Sequence, residues 1–441
     1  MFTERLFNGD KRTALLKKNI AGSLLIKGWS CIVQLLLVPL TLNCLNQYEY
    51  GIWLTINSVL IWIDQFDMGL GNGLRNKLAE SLANNNKEKA QRQVSTTVIM
   101  LTLIIIPIYF ILSLIITRTN LYELLNIDPI KVPNLIKIVL FSLAFVCSTF
   151  ISKFIGYIYL GLQLPAVNNM LVVLGQTLAL LLIITLSLLG DKSLLHIAIA
   201  YTISPLLIYI LSYPITFSKY KFLCPKISLF DIKELKELLN LGIVFFLIQL
   251  SGLIIFASSN ILISKLFSPS EVTPYQISYR YFSLVLVLFS LISTPLWTAT
   301  TEAYTRGEYI WIKKHISKMK IIVVILAICL FIMTLCADVF YKIWIGNNIK
   351  IDITMSVLMA FYIFELIYSM CFSNILFGIG KIKIISIITI IEAIIFIPLA
   401  IYFGRKIGIT GVIIALIIAN SLCAISNRIQ YSLTINHKAK R

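Results

Sequence analysis

The stretch NIAGSLLIKGWSCIVQLLLVPLTLNCLNQYEYGIWLTINSVLIWIDQFDMGL, Asn19–Leu70, decides the fold. Two long apolar runs are separated by a short polar link around Asn46–Glu49, and the first run carries one charge, Lys27. Runs of about 18 or more mostly uncharged residues are long enough to cross a bilayer. Backbone polar groups in lipid must be satisfied within the segment, so each run is predicted to be a helix.

The rest of the chain repeats this unit. Of 441 residues, 58% are hydrophobic and only 13% are charged, against about 25% charged in a soluble chain. The candidate spans are 19–43, 50–70, 94–117, 134–160, 164–189, 193–217, 238–265, 275–297, 319–341, 353–377, 382–403 and 409–433. The predicted class is all-α: a polytopic membrane protein of about twelve transmembrane helices. The expected organisation is an N-terminal six-helix lobe (1–217), a cytoplasmic linker (218–237), a C-terminal six-helix lobe (238–433) and a cytoplasmic tail (434–441).

The net charge of +18 does not point to nucleic acid, because Lys and Arg sit in the short links. Counted by side, 26 of the 38 Lys and Arg lie with the N-terminus, 8 lie opposite, and Lys27, Lys137, Lys153 and Arg280 fall within spans. The positive-inside rule then puts both termini in the cytoplasm. The first apolar run is too long for a cleavable signal peptide and lacks a small-residue cleavage site. Cys31, Cys147, Cys329, Cys336, Cys371 and Cys423 lie within apolar runs and read as small fillers, with no metal-ligand or disulfide spacing. His196, His315 and His437 are isolated, and no cofactor is expected. A weak internal repeat pairs Glu49 with Glu271 and Glu80 with Glu302, each 222 residues apart, as in a two-lobed parallel duplication.

Polar residues inside the spans share faces. In span 1, Asn19, Ser23, Lys27, Ser30 and Gln34 recur at helical spacing, and span 8 repeats this with Gln276, Arg280, Ser283, Ser290 and Thr294. Span 4 has Ser142, Thr149 and Lys153; span 10 has Tyr362, Glu365 and Ser369; span 11 has Ser386, Thr389 and Glu392. Intramembrane charge usually faces a wet cavity or bundle interior, so one reading is a hydrated cationic cavity for an anionic headgroup. The other is packing, with hydroxyl and amide groups as interhelical glue and the long cations snorkelling. Glu365 and Glu392 have no basic residue one turn away and could bind protons or pair with a cavity cation. Asp64 and Asp67 lie near the cytoplasmic end of span 2. DMGLGNGLRNK, Asp67–Lys77, has G-x-G-x-G spacing after a membrane helix, which reads as a helix end turned along the surface rather than a phosphate loop.

Several stretches together resemble a known family. LNQYEYGIW (Leu45–Trp53), DMGLGNGLRNK (Asp67–Lys77), PLWTATTEAYTRGEYIWIKK (Pro295–Lys314), IWIG (Ile343–Gly346) and LFGIGKIK (Leu376–Lys383) are similar to signatures of Wzx-type O-antigen and polysaccharide flippases. These form part of the multidrug/oligosaccharidyl-lipid/polysaccharide (MOP) superfamily. The resemblance implies two lobes around a central cavity in the bacterial cytoplasmic membrane. It also implies alternating-access transfer of undecaprenyl-pyrophosphate-linked oligosaccharide to the outer leaflet, driven by a proton or sodium gradient. Glycan polymerase and chain-length proteins are the implied partners, and no covalent chemistry is implied. On this resemblance Lys27, Lys153 and Arg280 become headgroup candidates, and Glu365, Glu392, Asp64 and Asp67 ion-coupling candidates. A drug/cation antiporter of the same superfamily is the competing reading. A membrane glycan polymerase or acyltransferase fits less well, because the longest outer link, 118–133, is short.

Overall fold

The computed structural model describes residues 11–67, 69–162, 164–239, 243–305, 307–347, 349–381 and 383–436. The side chains of Asn19, Ser23, Asp64, Thr294 and Glu302, together with His437 and the tail beyond it, lie outside the described residues. Every regular element among the described residues is a helix: α1 Lys11–Cys44, α2 Gln47–Leu60, α3 Leu70–Ala83, α4 Lys87–Arg118, α5 Leu121–Leu125, α6 Leu135–Ser152, α7 Phe154–Gly161, α8 Pro165–Leu188 and α9 Leu194–Lys219. There follow α10 Ile232–Leu239, α11 Ile243–Leu266, α12 Pro269–Thr305, α13 Tyr309–Leu335, α14 Ala337–Ile345, α15 Ile353–Gly378, α16 Lys383–Ile407 and α17 Ile409–Tyr431.

Among the described residues, nine helical segments are long and apolar enough to cross a membrane. The three remaining predicted spans correspond to α2 with the turn that follows it, α11 and α12. The fold is therefore an all-α, multi-pass membrane fold of about twelve spans. Large apolar side chains exposed on α4 (Leu103, Phe110, Leu114) and α13 (Ile321, Ile325, Phe331) face what must be lipid.

The chain divides into two compact units. The first comprises Met1–Asn46, Val59–Glu123 and Asp128–Phe246. In it α1 packs on α8, α8 on α9, α9 on α6 and α6 on α4, while α3 and α10 pack on α4. The second comprises Gln47–Ser58, Leu124–Ile127 and Leu247–Arg441. Here α15 packs against α12, α13 and α17, and α16 packs on α17. Two segments from the N-terminal half thus group with the second unit. Gln47 Nε2 donates to the Ser270 carbonyl at 2.9 Å and Thr273 Oγ1 donates to the Gln47 carbonyl at 2.7 Å. Ser264 Oγ donates to the Leu125 carbonyl at 2.6 Å.

Two spans are less regular than their apolar patterns suggest. Span 2 tightens into a 3₁₀ turn over Ile61–Asp67, a frequent way for a helix end to satisfy its last carbonyls. Span 4 breaks at Lys153, where bonding switches to an i+3 contact from the Gly156 amide to the Lys153 carbonyl at 2.9 Å.

The 218–237 linker is anchored rather than loose. The start of α4 presents polar side chains that satisfy linker backbone groups. Gln91 Nε2 donates to the Cys224 carbonyl at 2.8 Å, and the amides of Lys226 and Asp231 each donate, at 3.0 Å, to Ser95 Oγ and Thr96 Oγ1. Beneath them Gln93 Nε2 donates to Glu234 Oε2 at 3.0 Å and Ser81 Oγ donates to Gln93 Oε1 at 3.0 Å, all three residues being buried. Lys89 lies 3.6 Å from Glu234, and Arg92 pairs with Asp231 at 3.3 Å. Each buried polar group here has its partner, as burial requires.

Candidate functional site

In the first unit, Lys27 is half-buried on α1 and forms no ion pair among the described residues. The neighbouring polar side chains are committed to α8: Trp29 Nε1 donates to Thr177 Oγ1 at 3.1 Å and Ser30 Oγ to Gln176 Oε1 at 2.6 Å. Gln34 Nε2 reaches back to Ser30 Oγ at 3.2 Å. The span 1 face therefore acts, at Ser30, as interhelical glue, with Gln34 supporting Ser30 along the same helix and Lys27 as the charged member of the face.

Asp67 and Lys153 are brought together through a residue that the sequence did not single out. Asp67 accepts the Gly69 amide at 3.0 Å, the Gly71 amide at 3.3 Å and the Tyr157 hydroxyl at 3.0 Å. Gly69 is left-handed, with φ 83°, and a Cβ at Gly71 would enter the Tyr157 ring. Gly69 thus precedes α3 in a left-handed turn, and Gly71 in the first turn of α3 lets α7 close on that helix, with Asp67 tying the helix start down. Lys153 Nζ lies 4.9 Å from the Phe150 ring and 6.0 Å from the Tyr157 ring, within cation–π range. Asp67 is thus a structural acceptor at the start of α3.

The second unit holds the more reactive arrangement. Glu392, only 4% exposed on α16, accepts the Cys423 amide of α17 at 3.0 Å. Glu365 on α15 accepts from Ser421 Oγ at 2.8 Å, while its other oxygen, Oε2, is buried without a hydrogen-bond partner. Asn427 Nδ2 donates to Ser369 Oγ at 3.0 Å, leaving Asn427 Oδ1 and the nearby Asn420 Nδ2 unpartnered. Glu392, Asn420, Asn427, Tyr279, Tyr362 and Ser369 line a cavity of about 370 Å³ within this unit. Among the described residues neither glutamate forms an ion pair, so pairing with a Lys or Arg is not the arrangement adopted. Buried carboxylates without a cation hold charge at high cost, and orphaned polar atoms around them invite a proton, a cation or water. Asn420, Cys423 and Asn427 recur at helical spacing in span 12. That spacing is the signal in the sequence for the polar face of α17.

Arg280, half-buried on α12, forms no ion pair among the described residues. It lies close enough to Tyr50 for its charge to act on the phenol, whose buried hydroxyl has no hydrogen-bond partner. Its neighbour Gln276 is glue: Nε2 donates to Asn260 Oδ1 at 2.7 Å. Among the described residues no group of three or more His, Cys, Asp and Glu stands ready for a metal.

Comparison with known proteins agrees with this architecture. A protein of Salmonella typhimurium named as an O-antigen transporter is 22% identical over 399 residues, covering 88% of this chain and 90% of that protein. A Yersinia pseudotuberculosis protein named as an O-antigen export protein is 23% identical, covering 80% and 81%. Among solved structures, an inward-facing multidrug resistance MATE family transporter of the MOP superfamily superposes with a TM-score of 0.73 at 18% identity, covering 95% and 96%. That likeness establishes the fold. The polysaccharide biosynthesis protein family model matches residues 16–298, and the chain belongs to that family.

Proposed function

We propose that this protein is a flippase, moving a polyprenyl-pyrophosphate-linked oligosaccharide from the inner to the outer leaflet of a bacterial cytoplasmic membrane. Both termini lie in the cytoplasm on this reading, following the charge bias of the links. One observation carries it: each compact unit holds a half-buried cation inside a predicted span, Lys27 and Arg280, with no carboxylate paired to it among the described residues. An unpaired intramembrane cation calls for an anionic ligand, and a pyrophosphate supplies at least two charges. Membership of a polysaccharide biosynthesis family and relatives named as O-antigen transporters support a glycan-linked cargo. Glu392 and Glu365 supply the coupling step, taking up a proton or sodium ion in the α15–α17 interior. The undecaprenyl form of the carrier and contacts with glycan polymerase and chain-length proteins complete the proposal.

The test is genetic and biochemical. Deleting the gene should make lipid-linked oligosaccharide accumulate on the cytoplasmic leaflet. Lys27→Ala with Arg280→Ala should reproduce that phenotype while the protein still inserts, and Lys27→Arg should be milder than Lys27→Ala. Normal surface glycan in the double variant would sink the headgroup assignment. A second reading, a drug or cation antiporter, is favoured by the Glu392 cavity with Tyr279 and Tyr362 in its lining. It expects transport to depend on Glu392 and to be indifferent to Lys27 and Arg280.

A further inference from the structure

The second unit carries another depression, about 550 Å³, that shares no lining residue with the Glu392 cavity. One wall comes from α13 as Lys320, Val323, Val324, Ala327, Ile328 and Phe331, and the other from α15 as Phe364, Tyr368, Cys371 and Phe372. On α13 the spacing is one continuous helical stripe. Its outer ridge is exposed at Val324, Ile328 and Phe331, while Val323, Cys371 and Phe372 form a buried floor. Ala327 is the small residue in the middle of that stripe, so the surface dips there.

The lining is apolar except at one end. Lys320 and Arg428 of α17 both border the groove. Lys320 Nζ sits 5.9 Å from the centre of the Phe372 ring. Both cations are exposed, and neither meets a carboxylate within ion-pair distance among the described residues. From Lys320 to Phe331 is eleven residues, about 16 Å of helix at 1.5 Å per residue. That is half of the ~30 Å hydrocarbon core, the depth of a single leaflet. The charge bias of the links places the cationic end at the cytoplasmic surface.

We propose that this groove is a binding site for an anionic glycerophospholipid of the cytoplasmic leaflet. Its phosphate sits between Lys320 and Arg428, and one acyl chain lies along Ala327 as far as Phe331. Basic pockets between membrane helices on the cytoplasmic side are suited to such headgroups. The single-leaflet length argues for an acyl chain over an undecaprenyl chain, which is far longer. The inference stands on the fold and this surface and is independent of the proposed cargo.

The test uses the full-length protein in phosphatidylcholine nanodiscs doped with a photoactivatable phosphatidylglycerol. Crosslinks should map to the α13 and α15 residues of the groove. Lys320→Ala with Arg428→Ala should raise the half-saturating phosphatidylglycerol concentration about thirtyfold, about fivefold per cation, and Lys320→Arg with Arg428→Lys should stay near wild type. Ala327→Trp should abolish groove labelling with both cations in place, so the site remains testable if the double alanine variant fails to fold. Labelling indifferent to both kinds of variant overturns the site. Equal displacement by unlabelled phosphatidylcholine overturns the headgroup assignment. Displacement by undecaprenyl phosphate but not by phosphatidylglycerol overturns the phospholipid and gives the groove to a polyprenyl chain.

Discussion

Glu234 and Glu392 are both buried, 8% and 4% exposed, and differ in every contact that matters. Glu234, in the first unit, accepts from Gln93 and lies 3.6 Å from Lys89, and Gln93 is held in turn by Ser81. Glu392, in the second unit, accepts one backbone amide, and its cavity contains orphaned atoms of Asn420 and Asn427. A satisfied buried network fixes one structure, whereas a partly satisfied one is costly unless something else enters it. The first arrangement suits a fastener and the second suits a site that fills and empties.

The contrast is broken most severely at Glu392. Glu392→Gln should lower gradient-driven transport about tenfold to a hundredfold, the range of ordinary coupling energies, while thermal stability stays level or rises because a buried unpaired carboxylate is gone. Transport that keeps its rate and its pH dependence in reconstituted vesicles would make Glu392 a packing residue. Gln93→Leu should do the reverse. It strands Ser81 and one oxygen of Glu234, at about 1–3 kcal/mol per unsatisfied group, so the melting temperature falls while transport per folded molecule holds. Loss of transport with unchanged melting would give the linker fastener a role in the cycle.

A smaller effect is expected at Asp67. Asp67→Ala removes the acceptor for two glycine amides and the Tyr157 hydroxyl and should cost about 1 kcal/mol, as for a lost cap, measurable by thermal denaturation in detergent. Asp67→Asn should recover part of it. The smallest lies at the exposed rim of the fastener. The Lys233 amide, followed by the Arg92 guanidinium, holds the Asp231 carboxyl below its ordinary value of 3.8. A depressed carboxyl stabilises the fold above the unfolded value, and that contribution is lost as pH falls through the folded one. Asp231→Asn should therefore change stability slightly at neutral pH and leave no difference from wild type in strong acid. A variant difference that grows on acidification would contradict the pairing.

How much of this was legible in the chain depends on the residue. Asn19–Leu70 announced two spans because length and apolarity alone decide whether a segment can live in a bilayer. The 3₁₀ ending at Ile61–Asp67 and the break at Lys153 were not legible, since hydropathy reports no backbone bonding pattern. Lys27, Arg280, Glu365 and Glu392 stood out as charges where charge is expensive. Asn420, Ser421 and Gln93 did not, because amides and hydroxyls are as common in helix packing as in binding sites.

What the sequence determined by itself was the class and spacing of the helices and the side bias of the cations. These follow from bilayer thickness and charge, which act on each segment alone. Only the tertiary structure decided which buried carboxylate found a cation and which did not. It also decided that Tyr157 would join Asp67 to Lys153, and that Ala327 would open a groove beneath Lys320 and Arg428. Those outcomes depend on which helix faces which, and in a nonpolar interior the neighbouring helix supplies or withholds the partner that water would otherwise have been.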